Sequence, residues 1–159
     1  MIRSVLLLAL LTILSGCASL ANFEKSIVYQ PVRIDPPPKP LTGRPGPRTP
    51  GEFVEVQINL DEKPSKSPAS LSGLYAEAKD PHAIVLYCHG NGGNVEDCVE
   101  TLRLFRDTLH VTVLAFDYRG YGASSNWEIN EEALYADARL ARAWLAERTG
   151  VKESDIVLV

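Results

Sequence analysis

An open α/β domain is the architecture this sequence predicts, and three features carry that expectation. Three apolar runs, Ala83–Cys88 (AIVLYC), Val111–Phe116 (VTVLAF) and Asp155–Val159 (DIVLV), have the composition of parallel strands covered on both faces. Between them lie two stretches whose apolar residues recur at helical spacing. Ahead of them Phe53–Leu60 (FVEVQINL) alternates apolar and polar residues at period two, the pattern of a half-buried strand. The order strand, strand, strand, helix, strand, helix, strand predicts an antiparallel strand pair followed by right-handed β-α-β units on a growing parallel sheet, with crossover helices.

Composition narrows the function. With 159 residues, 45% hydrophobic and 23% charged, the chain has ordinary globular composition and room for one domain of common size, which excludes disorder, collagen and coiled coil. Sixteen basic against 20 acidic residues give a formal charge of -4 with no basic block to track phosphates, so no nucleic-acid partner is expected. Cys17 stands alone and Cys88 and Cys98 are not at metal-ligand spacing, so neither a metal nor a cofactor is called for.

Taken in order, the chain opens on Arg3 and the apolar run Val5–Leu14, too short to span a bilayer, followed by small residues as in a secretory signal. Leu14-Ser15-Gly16-Cys17 resembles the lipobox of bacterial lipoproteins. That resemblance implies cleavage of residues 1–16, lipidation of Cys17 as the mature N-terminus, and a lipid anchor in a membrane as the protein's partner. Since Ala18 and not Asp follows the cysteine, it also implies passage to the periplasmic face of the outer membrane. Each acyl CH₂ contributes about 0.8 kcal/mol, so several chains anchor stably. Ordinary secretion with cleavage after Ala21 is the alternative. Eight of the eleven prolines fall between Pro31 and Pro50, which predicts an extended spacer over residues 17–50. Before the prolines, Phe23, Ile27 and Val28 suit a short amphipathic turn.

Residues 51–159 read as the folded part. Phe53–Leu60 is its first strand, Asp61–Ser70 a polar turn region, and Ser70–Ala78 the returning partner. After the Ala83–Cys88 strand, Asn94 is placed to cap a helix with Val95, Val99, Leu102, Phe105 and Leu109 in one stripe. After the Val111–Phe116 strand, Asn130 is placed to cap a second helix, with Glu131 and Glu132 in its first turn. Leu134, Ala138, Ala141 and Leu145 form its expected apolar face and Gly150 its end.

Two turns follow strand ends, where open α/β sheets place their sites: His89-Gly90-Asn91-Gly92-Gly93-Asn94 and Asp117-Tyr118-Arg119-Gly120-Tyr121-Gly122-Ala123-Ser124. Glycines in the first let backbone N–H groups curl into a cavity, though they would serve a merely tight turn equally well. Over Phe53–Val159 the sequence resembles the α/β-hydrolase superfamily, near its small serine hydrolases and aminopeptidase-like proteins with HGNGGN and DYRGYG turns. The resemblance implies that the chain holds the N-terminal half of that fold. It also implies that the N–H of Asn91, or of its nearest alternative Gly92, serves as an oxyanion-hole donor. His89, Gly90, Asp117 and Arg119 are expected to brace the loops, with Tyr118 and Tyr121 walling a pocket. His82 and His110 read as surface or helix-end residues.

In the superfamily the strand over Ile156–Val159 runs into a Gly-x-Ser-x-Gly elbow, and the acid and base follow it. The catalytic Ser, Asp or Glu, and His are therefore expected beyond Val159, and the chain alone is expected to be an inactive fragment of a membrane-anchored hydrolase. A small acyl substrate is expected only for the completed chain. Gly122-Ala123-Ser124-Ser125-Asn126 lacks the second glycine and the strand-to-helix setting of an elbow, so Ser124 reads as a loop residue. A dinucleotide-binding fold shares the strand, Gly-x-Gly, helix, strand and acid order through Gly90, Gly92 and Asp117, but Val95 occupies the third glycine position. A non-catalytic lipoprotein binding module is the other alternative. Cys88 and Cys98 read as core thiols, with a disulfide open after export.

Overall fold

The computed structural model describes residues 28–34, 51–60 and 69–159. The leader, Cys17, most of the proline-rich stretch and residues 61–68 of the polar turn region lie outside the described residues. The chain divides into two compact units, Met1–Gln30 and Pro31–Val159. In the first, only residues 28–30 are described, with Val28 exposed and Tyr29 half-buried.

The second unit is built on a five-stranded sheet. Its strands are β1 (Val54–Asn59), β2 (Ser70–Ala76), β3 (Ala83–Tyr87), β4 (Val111–Phe116) and β5 (Ile156–Leu158). They lie in the order β1-β2-β4-β3-β5. β1 and β2 pair antiparallel (Val56 opposite Gly73), as do β2 and β4 (Tyr75 opposite Leu114), whereas β3 pairs parallel with both β4 (Val85 opposite Val113) and β5 (Val85 opposite Val157). The expected antiparallel start and parallel continuation are both present.

Burial explains the apolar patterns. Val113 and Ala115 of β4 face a core formed with Val85, Leu74, Val99 and Leu102, while Leu114 and Phe116 face a second core with Leu86, Tyr75, Ala141 and Leu145. With helices over both faces, β4 has no solvent side and reads as a continuous apolar run. At the sheet margin β1 alternates, with Val56 and Ile58 buried and Val54 exposed.

The first helical segment departs from the expected single helix. A 3-10 turn over Val95–Cys98 leads into the α-helical turn α1 (Val99–Arg103) and then a π-helical turn over Leu104–Thr108. Asn94 caps it as expected: its Oδ1 accepts from Glu96 N–H, and its own N–H donates to Asp97 Oδ2 in return. Val95, Val99 and Leu102 are buried, but Leu109 is 47% exposed. The Leu109 N–H bonds five residues back to Leu104, and this wider turn swings Leu109 off the stripe.

The second helix, α2 (Glu131–Thr149), starts at Asn130, whose side chain accepts from Ala133 N–H, and ends at Gly150 in the left-handed conformation. Its buried face is Ala133, Asp137, Ala141 and Leu145, while Leu134 and Ala138 are only half-buried. The expected face is therefore rotated toward an acid, because Asp137 has a partner inside.

Within the stretch expected as a spacer, Pro31–Ile34 lies on the domain. Ile34 N–H donates to Gly122 O and Gly122 N–H to Val32 O, and Arg33 reaches the carbonyls of Gly120 and Ser124 at 3.4 Å. At these residues the chain is held, because extended backbone offers bonding groups on both sides to a neighbouring loop.

Candidate functional site

Parallel pairing of β3 and β4 brings the two glycine turns side by side at the carboxyl end of the sheet. The junction is Asp117, whose side chain is fully buried. Its Oδ1 accepts from Val95 N–H at 2.8 Å, the start of the helical segment after the first turn, and its Oδ2 accepts from Ala123 N–H at 3.2 Å in the second. One carboxylate thus ties both turns. Gly122 makes room for it: with φ at +45°, a Cβ there would lie 1.9 Å from Asp117 Oδ2. Burial pushes the Asp117 carboxyl up from its ordinary range, against the lowering effect of the two N–H bonds.

In the first turn Gly92 and Gly93 take φ of +83° and +100°, which only glycine adopts freely and which re-aims successive amides. Neither donates its N–H to a backbone carbonyl among the described residues. Gly90 and Asn91 are exposed, and Asn91 Oδ1 accepts from the Tyr121 hydroxyl at 3.3 Å, a second link between the turns. His89 is buried, its Nδ1 2.9 Å from Gly90 O, its Nε2 3.7 Å from Asp117 Oδ1, and its ring edge-on to Tyr118 and Tyr121. Tyr121 is buried and Tyr118 half-buried, so they pack the floor around His89 more than they wall an open pocket.

The second turn is held from three further sides. Arg119 grips Asp137 of α2: its backbone N–H donates at 2.9 Å and its guanidinium at 3.0 Å to a carboxylate with no exposed surface. Ser124 is buried, with Oγ donating to Asp117 O at 2.6 Å and accepting from Ser72 N–H at 2.8 Å. Ser125 Oγ accepts from Ser70 N–H. With its hydroxyl engaged on both sides, Ser124 is built into the loop.

Sequence reading missed Asp137 as the partner of Arg119. A signal existed: Ala133, Asp137, Ala141 and Leu145 recur every four residues, and an acid inside such a stripe needs a buried cation. The strap at Arg33 had no comparable signal. Among the described residues Cys88 and Cys98 are free, Cys98 in the core under α1 and Cys88 against the opposite core under α2, so the sheet separates them. Burial, with the charges of Asp117 and Asp97, pushes the Cys98 thiol up to about 12. His82 and His110 are exposed at the other end of β3 and β4, their rings 6.0 Å apart.

A mixed sheet with an antiparallel margin, a parallel interior and glycine turns at the carboxyl ends of adjacent strands defines the α/β-hydrolase fold, and among proteins of known sequence the likenesses agree. The chain is 30% identical over 156 residues to Protein bem46 of Schizosaccharomyces pombe, covering 91% of this chain and 50% of that protein. It is 27% identical over 149 residues to the alpha/beta hydrolase domain-containing protein WAV2 of Arabidopsis thaliana, covering 92% and 46%. The crystal structure of an alpha-beta hydrolase from Vibrio vulnificus superposes with a TM-score of 0.52 at 28% identity, over 69% of this chain and 35% of that one. No family model matches. The chain belongs to the α/β-hydrolase superfamily, and it spans about half the length of the curated relatives it matches.

The dinucleotide-binding alternative meets a physical obstacle in this arrangement. A pyrophosphate would need the amides at the helix start, and the Val95 N–H there is already bonded to Asp117.

Proposed function

We propose that this chain is the N-terminal part of a lipid-anchored serine hydrolase of the bacterial cell envelope, which cleaves ester, thioester or amide bonds by acyl transfer. The observation that carries the reading is the first turn. Its consecutive positive-φ glycines sit at the end of β3, braced through Asp117 to the second turn, as a preorganised oxyanion donor requires. In the proposed reaction the N–H of Asn91, or of Gly92, stabilises the developing oxyanion together with an amide next to the nucleophile. Asp117, Arg119, His89 and Gly90 hold the loop and do not touch the acyl group. Gly-x-Ser-x-Gly does not occur in these 159 residues. The nucleophile, acid and base are accordingly proposed to come from sequence downstream of Val159, and Cys17 to carry the lipid.

Fluorophosphonate labelling tests the reading. The product of the whole gene, including whatever is encoded after Val159, should label at a serine in an elbow, and the 159-residue chain should not. Failure of the longer product to label, with a nucleotide bound instead or nothing bound, rejects acyl transfer in favour of a binding module.

A further inference from the structure

We infer that residues 31–34 are a positioning strap of the candidate site, holding the second glycine turn against the first, with Arg33 as the positioning side chain. The bonds made by successive residues of the second turn alternate in direction. Gly120, Gly122 and Ser124 face the strap: Ile34 N–H donates to Gly122 O at 3.0 Å, Gly122 N–H donates to Val32 O at 2.9 Å, and the Arg33 guanidinium reaches Gly120 O and Ser124 O at 3.4 Å. Tyr121 and Ala123, lying between them, face the first turn. The Tyr121 hydroxyl donates to Asn91 Oδ1 at 3.3 Å, and Ala123 N–H donates to Asp117 Oδ2, whose companion oxygen takes the Val95 N–H. The second turn is thus held between the strap and the first turn.

Gly122 is where the two sides meet. The neighbouring N–H groups are taken up by the turn itself or by Asp117: Tyr121 N–H by Tyr118 O, Ser124 N–H by Tyr121 O, and Ala123 N–H by the carboxylate. Gly122 is buried, and both its N–H and its C=O are met by the strap instead. On its other side it lies against the Asp117 carboxylate, so closely that a Cβ would collide with Oδ2. Without the strap this buried peptide loses its partners, and it reaches water only by moving. In packing this close, such a movement passes to Ala123 and to the carboxylate beside it. The carboxylate in turn holds Val95, the residue that follows the first turn. A stretch with the composition of a spacer thereby acts on the geometry of the first turn. That the amides of this turn meet an oxyanion rests on the acyl-transfer reading above; the clamp itself does not.

Amide hydrogen exchange in the 159-residue chain tests the clamp. Ile34→Pro removes one strap donor, and since a residue before proline is driven to extended backbone, Arg33 can keep its bridge to Gly122. Exchange should rise about fivefold at Gly122, the weight of one hydrogen bond, and should rise also at Ala123 and Val95, whose N–H groups meet Asp117. Arg33→Ala should raise the same three by about twofold, its bonds being longer. Val113 in β4 and Ala133 at the start of α2 should keep their rates. Faster exchange at Gly122 alone overturns the inference, as does an unchanged Gly122 or an equal rise at all of these amides. If Ile34→Pro does not fold, Arg33→Ala decides. In the product of the whole gene, Arg33→Ala should lower the maximal rate of fluorophosphonate labelling and leave the half-saturating concentration unchanged, because positioning acts on the transition state. An unchanged maximal rate overturns the positioning role. If the unaltered longer product does not label, acyl transfer fails, and the exchange rates still decide the clamp.

Discussion

Buried charge and backbone geometry set what single residues contribute. A Cβ at Gly122 meets the Asp117 carboxylate, and the backbone there has φ of +45°. Gly122→Ala should therefore cost about 3 kcal/mol or more, since it adds displacement of a buried carboxylate to backbone strain. Gly92 has positive φ but nothing within 4 Å, so Gly92→Ala should cost only about 1 kcal/mol. Denaturant midpoints of the two variants check the contrast. Arg119→Met leaves the fully buried Asp137 without its cation and should lose about 3–5 kcal/mol, and adding Asp137→Leu should recover much of it. Cys98 yields a pH dependence. Its folded pKa lies above the unfolded value, so its contribution is complete below about pH 8.5 and is lost as pH rises toward 12, by at most about 1.4 kcal/mol per unit. Cys98→Ala should flatten the alkaline limb of the stability profile, and the native thiol should resist disulfide reagents at pH 8 while Cys98 in urea reacts.

The secondary-structure elements are stopped and started by local chemistry but oriented by what they pack against. Asn130 accepts from Ala133 N–H at 2.9 Å, and Asn130→Ala should remove about 1 kcal/mol with a matching loss of helicity at the start of α2. The helical segment after β3 shows the opposite dependence. Its Asn94 cap was legible in sequence, yet the π-turn that exposes Leu109 was not, because apolar spacing cannot register one widened turn. At the sheet edge, β5 pairs with β3 on one side, and Val157 and Leu158 are 49% and 56% exposed. An apolar strand with one open side among the described strands invites pairing with another chain. The 159-residue chain should therefore self-associate, and Val157→Lys should raise its soluble monomer fraction in sedimentation. An unaltered chain that stays monomeric at high concentration contradicts this.

For the whole molecule, the proposal of a lipid anchor makes the most direct prediction. Cys17→Ser should move the protein from the membrane fraction to the soluble fraction. If the distribution is unchanged and the mature N-terminus maps to Asn22, secretion with cleavage after Ala21 is the correct reading. The strap at Pro31–Ile34 bears on how the domain is tested: since Gly122 N–H donates to Val32 O, Ile34→Pro, which removes the reciprocal donor, should speed hydrogen exchange at Gly122. A preparation that begins at Gly51 should show the same loosening.

By itself the sequence determined the order of the strands and helical segments, and its two glycine turns carried the resemblance to the superfamily. An apolar run with no polar face is stable only as a strand covered on both sides, and caps such as Asn94 and Asn130 or a stop such as Gly150 act within a few residues of chain. Both glycine turns were legible for the same reason, since their conformations are local. Only the tertiary structure decided what the turns are tied to. Val95 meets Asp117 across 22 residues, Arg119 meets Asp137 across 18, and Ser72 meets Ser124 across 52. The sidedness of α2, the separation of Cys88 from Cys98 and the closed setting of His89 follow from those meetings. A buried polar group must find a partner, but the chain's local pattern states only the need; which partner answers it is decided when the strands bring distant segments together.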